Sequence, residues 1–220
     1  MAPVASFPRY TVIELTADRV LHLLAVILAA AGVVWLFLAV APMGDARKVV
    51  VVTVYAVGLI GMVVASAAYN SCCPSRRKEL LRRIDHAMIL VMIAGTCTPF
   101  AVSAFPEGVG LLSCALVWTA AACGAVLHLV FPRRFERLLL ALYLATGWAM
   151  FCMSRAYAGN FSDNVLPLLF VGGIAYSCGA FVHTQTRLPF HNVAWHALVL
   201  LGAGSHWAAV ANQVMVWRGA

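Results

Sequence analysis

Charge is what this 220-residue sequence has least of. Only 10% of its residues are Asp, Glu, Lys or Arg, against about 25% in a soluble domain. The scarcity runs along the whole length, which excludes a water-soluble globular fold and leaves lipid as the solvent. Alternation of apolar and polar residues is missing too, and with it the signature of a transmembrane β-barrel. The seven cysteines, at 72, 73, 97, 114, 123, 152 and 178, show no CxxC and no zinc-ribbon spacing. Five lie in apolar runs, where a thiol behaves as a small hydrophobe. Cys72 and Cys73 fall in a basic segment expected in the reducing cytoplasm, so a disulfide framework is not expected. Low-complexity tracts, internal repeats and loops long enough for a second domain are also absent.

What is there is continuous hydrophobicity: 63% of the residues are apolar and the mean hydropathy is +0.91. A spanning helix needs about 20 such residues, and seven segments qualify, at roughly 20–41, 48–70, 85–104, 109–131, 135–154, 165–183 and 192–216. Each is bounded by charge, Pro or Gly. The first run exceeds the ~7–15 residues of a cleaved signal core and follows Glu14 and Asp18, so it reads as a retained helix. The fold class is therefore all-α, a bundle of seven transmembrane helices. Residues 1–19 are expected as a cytoplasmic N-terminal segment, with a short interfacial helix over 10–19, and residues 20–217 as one seven-helix domain.

The basic residues are unevenly placed. Arg9, Arg19, Arg76, Arg77, Lys78, Arg82, Arg83, Arg133, Arg134, Arg137 and Arg187 fall on the side of the N-terminus, and only Arg47, Lys48, Arg155 and Arg218 on the other. Eleven against four puts the N-terminus inside and, after seven spans, the C-terminus outside. The net charge of +7 thus reports topology, and a nucleic-acid partner is not expected.

Polar groups at membrane depth are costly, so each is a candidate site. On a regular helix His191 and His196 point roughly 140° apart, and His206 lies about 15 Å beyond His196. These three histidines do not form one metal site. Asn192 and His196, however, share a face at i and i+4, as do Ser66 and Asn70. Asp85 opens the third span at the same level. Ser66, Asn70, Asp85, Asn192 and His196 can converge in one cavity. Glu14, Asp18 and His22 follow at i, i+4 and i+8 near its entrance. Asp85 reads either as an interfacial ion pair with Arg82 and Arg83 or as a functional carboxylate.

In "SAAYNS" at 66–71, "RRIDHAMILVMIAGTCTPF" at 82–100, "GGIAYSCGAFVH" at 172–183 and "WHALVLLGAGSHW" at 195–207, together with the Glu14–Asp18–His22 opening, the chain resembles the hemolysin III branch of the progestin and adipoQ receptor family. The resemblance covers nearly the full length. It implies seven helices with the N-terminus inside, and a likeness to alkaline ceramidases. It also implies a zinc ion held by three histidines, one closing Ser-x-x-x-His on the second helix and two in His-x-x-x-His on the seventh. An aspartate of the third helix and the motif serine assist. Mapped here, the serine is Ser66 and the aspartate Asp85, but the ligand positions carry Asn70, Asn192 and His196. Two of three ligands are replaced, and an amide oxygen is a poor zinc ligand. His191, one residue early, is the candidate substitute, and His22 and His206 are expected to lie away from the ligand cluster. His86 is expected to face elsewhere, and His128 to be interfacial.

Three functions follow. The first is a hemolysin III-type protein of the bacterial inner membrane that binds a lipid or acyl chain in membrane-lipid homeostasis, with zinc absent or weakly held. The second is a zinc-dependent hydrolase of lipid amides or esters using Ser66 and Asp85. The third is a pore former, for which no charged stripe is present on any helix.

Overall fold

The computed structural model describes residues 10–131 and 133–219. Among them are seven helices long and apolar enough to cross a membrane and no strand. They are α1 (Val12–Val40), α2 (Ala46–Ser71), α3 (Arg76–Ala104), α4 (Glu107–Val130), α5 (Glu136–Ala156), α6 (Val165–Thr184) and α7 (His191–Gly219). Two single-turn 3₁₀ helices follow α1 and α5.

Five helices match the apolar runs closely, and two start earlier. α1 begins at Val12, because Thr11 and Glu14 form a reciprocal cap: the Thr11 hydroxyl accepts from the Glu14 N–H at 3.3 Å and the Glu14 carboxylate from the Thr11 N–H at 2.8 Å. The segment expected as a separate interfacial helix continues without a break into the first span. α3 begins at Arg76, within what reads as a basic loop, because Ser75 accepts from the Lys78 N–H at 3.2 Å. Its first turns are held by Glu79, which meets Arg82 at 3.6 Å and Arg83 at 3.9 Å at helical spacing.

Helices α1, α2, α3, α5, α6 and α7 pack in succession, and α7 closes back on α1. α4 packs against α3 and touches α5 only at its margin. α3 is the most buried of the seven. Gly58 and Gly95 let it approach α2: a Cβ on Gly58 would meet the Met92 backbone at 3.2 Å, and one on Gly95 the Val54 carbonyl at 3.2 Å. Small residues at such a crossing serve helix association in lipid, where burial of apolar surface gives little. The buried side chains form two clusters, one of α1, α2, α6 and α7 around Leu36, Val52, Tyr55 and Val210, the other of α3, α4 and α5 around Leu90, Ala94 and Leu139. A polar cleft opens between them at one end of the bundle.

Candidate functional site

The cleft has a volume of about 520 Å³ and is lined from α1, α2, α3, α5, α6 and α7. Its wall on the α1–α7 side is a connected polar cluster. Asp18 and His22 sit one turn apart on α1, both buried. The His22 Nδ1–H donates to the Asp18 carbonyl at 2.7 Å, and Nε2 meets the Ser66 Oγ at 3.1 Å and the Asn70 Nδ2 at 3.4 Å. The Asp18 carboxylate reaches α7: Oδ1 lies 2.6 Å from His196 Nδ1, and Oδ2 lies 3.6 Å from His22 Nδ1. The two imidazoles pack edge to face with centroids 4.4 Å apart. Asn192 Nδ2 approaches His196 Nδ1 at 3.5 Å.

The structure thus brings together Ser66, Asn70, Asn192 and His196, with Asp85 buried on the neighbouring wall. Asp85 forms no ion pair among the described residues and lines the same cleft as Ser66 and His196. Arg82 pairs with Glu79 and Glu136. His191 begins α7, with Nδ1 3.0 Å from the Leu188 carbonyl and its ring against Tyr10 at 5.7 Å; it lines the cleft but stands outside the cluster. His206 lies apart, against the Leu169 carbonyl at 3.2 Å.

His22 is the correction. It was expected away from the ligand positions and instead stands at their centre. With α1 starting at Val12, His22 lies ten residues, about 15 Å, along the helix, not at its mouth. The threonine–glutamate pair three apart in "TVIE" was the signal for that earlier start. His86 also lines the cleft, and His128 is buried, bonded to the Tyr143 hydroxyl.

The entrance is fixed by the same glutamate that caps α1. Glu14 Oε1 accepts the Phe190 N–H at 2.8 Å, placing a carboxylate at the N-terminus of α7, where the helix dipole favours it. Phe190 there adopts φ 56°, a left-handed conformation that costs a non-glycine residue energy. Tyr10, outside the spans, closes over the cleft. Burial, then the Asp18 and Glu14 carboxylates, raise its phenol above the usual value of 10.0.

The zinc that the resemblance implies does not fit the positions expected for it. The Asn70 amide N–H groups are directed at the Ser66 carbonyl (2.9 Å) and at His22, and the Asn192 amide nitrogen at His196. These side chains present hydrogens, not lone pairs, to the cluster. A different set does fit: one donor atom each from Asp18, His22 and His196, all within 4.8 Å of one another. Two imidazoles and a carboxylate are an established donor set for zinc.

Residues 12–207 match the Haemolysin-III related family. The chain is 32% identical to "Hemolysin-3 homolog" of Bacillus subtilis (strain 168) over 196 residues, covering 89% of this chain and 92% of that protein. It is 30% identical to "Hemolysin-3" of Bacillus cereus over 202 residues, 92% of each chain. It is also 30% identical to "Heptahelical transmembrane protein ADIPOR2" of Oryza sativa subsp. japonica over 181 residues, 71% of this chain and 78% of that one. No solved structure matches it at a significant level.

Proposed function

The chain belongs to the haemolysin-III related family of membrane proteins, and from that premise we propose that it holds a membrane lipid in the cleft and acts in membrane-lipid homeostasis. The observation that carries this reading is a cavity of about 520 Å³ with a polar cluster on one wall and an apolar continuation. A second cavity of about 110 Å³ shares Met62, Ile89, Leu140, Tyr143, Tyr176 and Trp195 with the first and runs on past Met92 and Phe100. A pocket of several hundred cubic ångströms, mostly apolar with a few convergent polar groups, is the form of a small-molecule site. The polar part of the lipid lies against Ser66, Asp85 and His196, and its chain follows the apolar wall between the two buried clusters. The arginine-rich end that carries the cleft faces the cytoplasm, and the membrane is the bacterial inner membrane.

A photoreactive long-chain fatty acid added to the detergent-purified protein tests this. Crosslinks should fall on cleft residues such as Ile89 and Leu200, and Ala25→Phe, which fills the cleft, should remove them. Labelling confined to the outer faces, unchanged by Ala25→Phe, would sink the reading.

Asp85 supports a second reading, hydrolysis of an amide or ester bond in that lipid. A carboxylate buried without an ion pair beside a hydroxyl is suited to take a proton from an attacking water, and the Ser66 hydroxyl to hydrogen-bond the developing oxyanion. Zinc held by Asp18, His22 and His196 would supply Lewis acidity there. Release of fatty acid by the purified protein, abolished by Asp85→Asn, is the expected result; equal release by both proteins excludes it. A pore is the remaining reading, supported by the hemolysin name of the relatives alone, and ion flux through liposomes tests it.

A further inference from the structure

We propose that Asp18, His22 and His196 form a divalent transition-metal site built mainly from α1, with two of its three ligands one turn apart on that helix and the third on α7. Three independent features of the cluster support it. The first is the tautomer of His22. Its Nδ1–H is held by a backbone carbonyl, the Asp18 oxygen at 2.7 Å, which leaves a lone pair on Nε2, met in this structure by Ser66 Oγ at 3.1 Å and Asn70 Nδ2 at 3.4 Å. Metal-ligating histidines are held by their other nitrogen in this way.

The second is Asp18, whose carboxylate lies between the two imidazoles, at 2.6 Å from one and 3.6 Å from the other. His196 Nδ1–H donates to Asp18 Oδ1, and a metal ion would take the place of that hydrogen. Zinc–ligand lengths of about 2.0–2.2 Å separate neighbouring tetrahedral donors by roughly 3.3 Å. The His196–Asp18 pair therefore opens by about 0.7 Å, while the third donor, no more than 4.8 Å away, closes in. Rotation of side chains accomplishes both without moving a helix.

The third is the surround. Ser66 and Asn70 contact His22, Asn192 contacts His196, and His22 and His196 line the same cleft as Asp85, which leaves room for a fourth ligand. Three protein ligands and one open position distinguish a zinc ion available for chemistry from a closed structural one.

The experiment uses the full chain, purified in detergent after growth with zinc and passed through metal-free buffer, with no lipid added. Elemental analysis should find about one zinc per chain. Zinc-edge X-ray absorption should find two imidazoles and oxygen ligands. Asp18→Asn, His22→Gln and His196→Gln should each lower zinc affinity about tenfold or more, and His191→Gln should not. No retained zinc overturns the proposal, as does a spectrum with three imidazoles or a His22→Gln protein that binds zinc undiminished. Should a variant fail to fold, the imidazole count in the unsubstituted protein decides. Because no lipid enters the measurement, it stands or falls separately from the lipid reading.

Discussion

The two walls of the cleft use similar side chains to different ends. On the α3–α5 wall Arg82 is paired with Glu136 and, at 3.6 Å, with Glu79, which also takes Arg133 at 3.1 Å. His128 there is joined to Tyr143, whose hydroxyl donates to the His86 carbonyl at 3.3 Å. Arg82 and Arg133 are answered by Glu79 and Glu136, and the network ties three helices together. On the α1–α7 wall one carboxylate, Asp18, and two imidazoles converge, and the ion-pair partners of Asp18 are His22 and His196. Residue type does not separate the two walls; both have acids and histidines. What separates them is the bonding capacity left unused, and a buried group with lone pairs to spare is where a ligand gains most.

Substitutions can break this contrast. The largest effect is expected from Arg82→Ala, which removes the ion-pair partner of Glu136 and one of the three arginines around Glu79. Loss of about 2–3 kcal/mol is expected, at the low end for a buried pair because Glu136 is half exposed. Thermal unfolding in detergent measures it, and a change under about 0.5 kcal/mol would place Arg82 in water. Glu14→Ala should follow with a smaller loss, by removing the Glu14 half of the α1 cap and the partner of Phe190. Hydrogen exchange should rise at the start of α7 and not at its centre; uniform protection would deny the link. Ser66→Ala should be smaller still in stability, below about 1 kcal/mol, since His22 keeps its carbonyl partner, yet it should lower fatty-acid crosslinking. A protein destabilised as much as Arg82→Ala would show that the α1–α7 wall is structural like the other.

The smallest effect concerns pH. The folded-state pKa of Tyr10 is raised, so its docking over the cleft is fully present below about pH 10 and is lost only as the pH climbs through that raised value. The tyrosinate absorbance missing from Tyr10→Phe should therefore titrate above 10. A midpoint at or below 10 would mean the ring is solvated.

Seven spans were legible because long apolar runs admit few other structures in lipid. The starts of α1 and α3 were not, since both extend into polar sequence on caps: Thr11 with Glu14, and Ser75 with Lys78. That error in a boundary became an error in the site. A helix begun at 20 leaves His22 at the surface; begun at 12, it brings His22 to Ser66. The spacings of Ser66 with Asn70 and of Asn192 with His196 were readable, because each pair belongs to one helix. Contacts such as Asp18 with His196, 178 residues apart, depend on which helices become neighbours, and no local pattern records that.

That separation bears on how the chain is made. Helices enter the membrane in order, so the Asp18 carboxylate meets its α7 partner His196 only when the last span arrives, whereas His22 finds Ser66 as soon as α2 follows. Only then do Glu14 and Phe190, 176 residues apart, and Asp18 and His196 join the first helix to the last. The polar cluster is thus a clasp that fastens the ring. A chain truncated before α7 would lack His196, the closest partner of the Asp18 carboxylate, and leave that group with His22 alone.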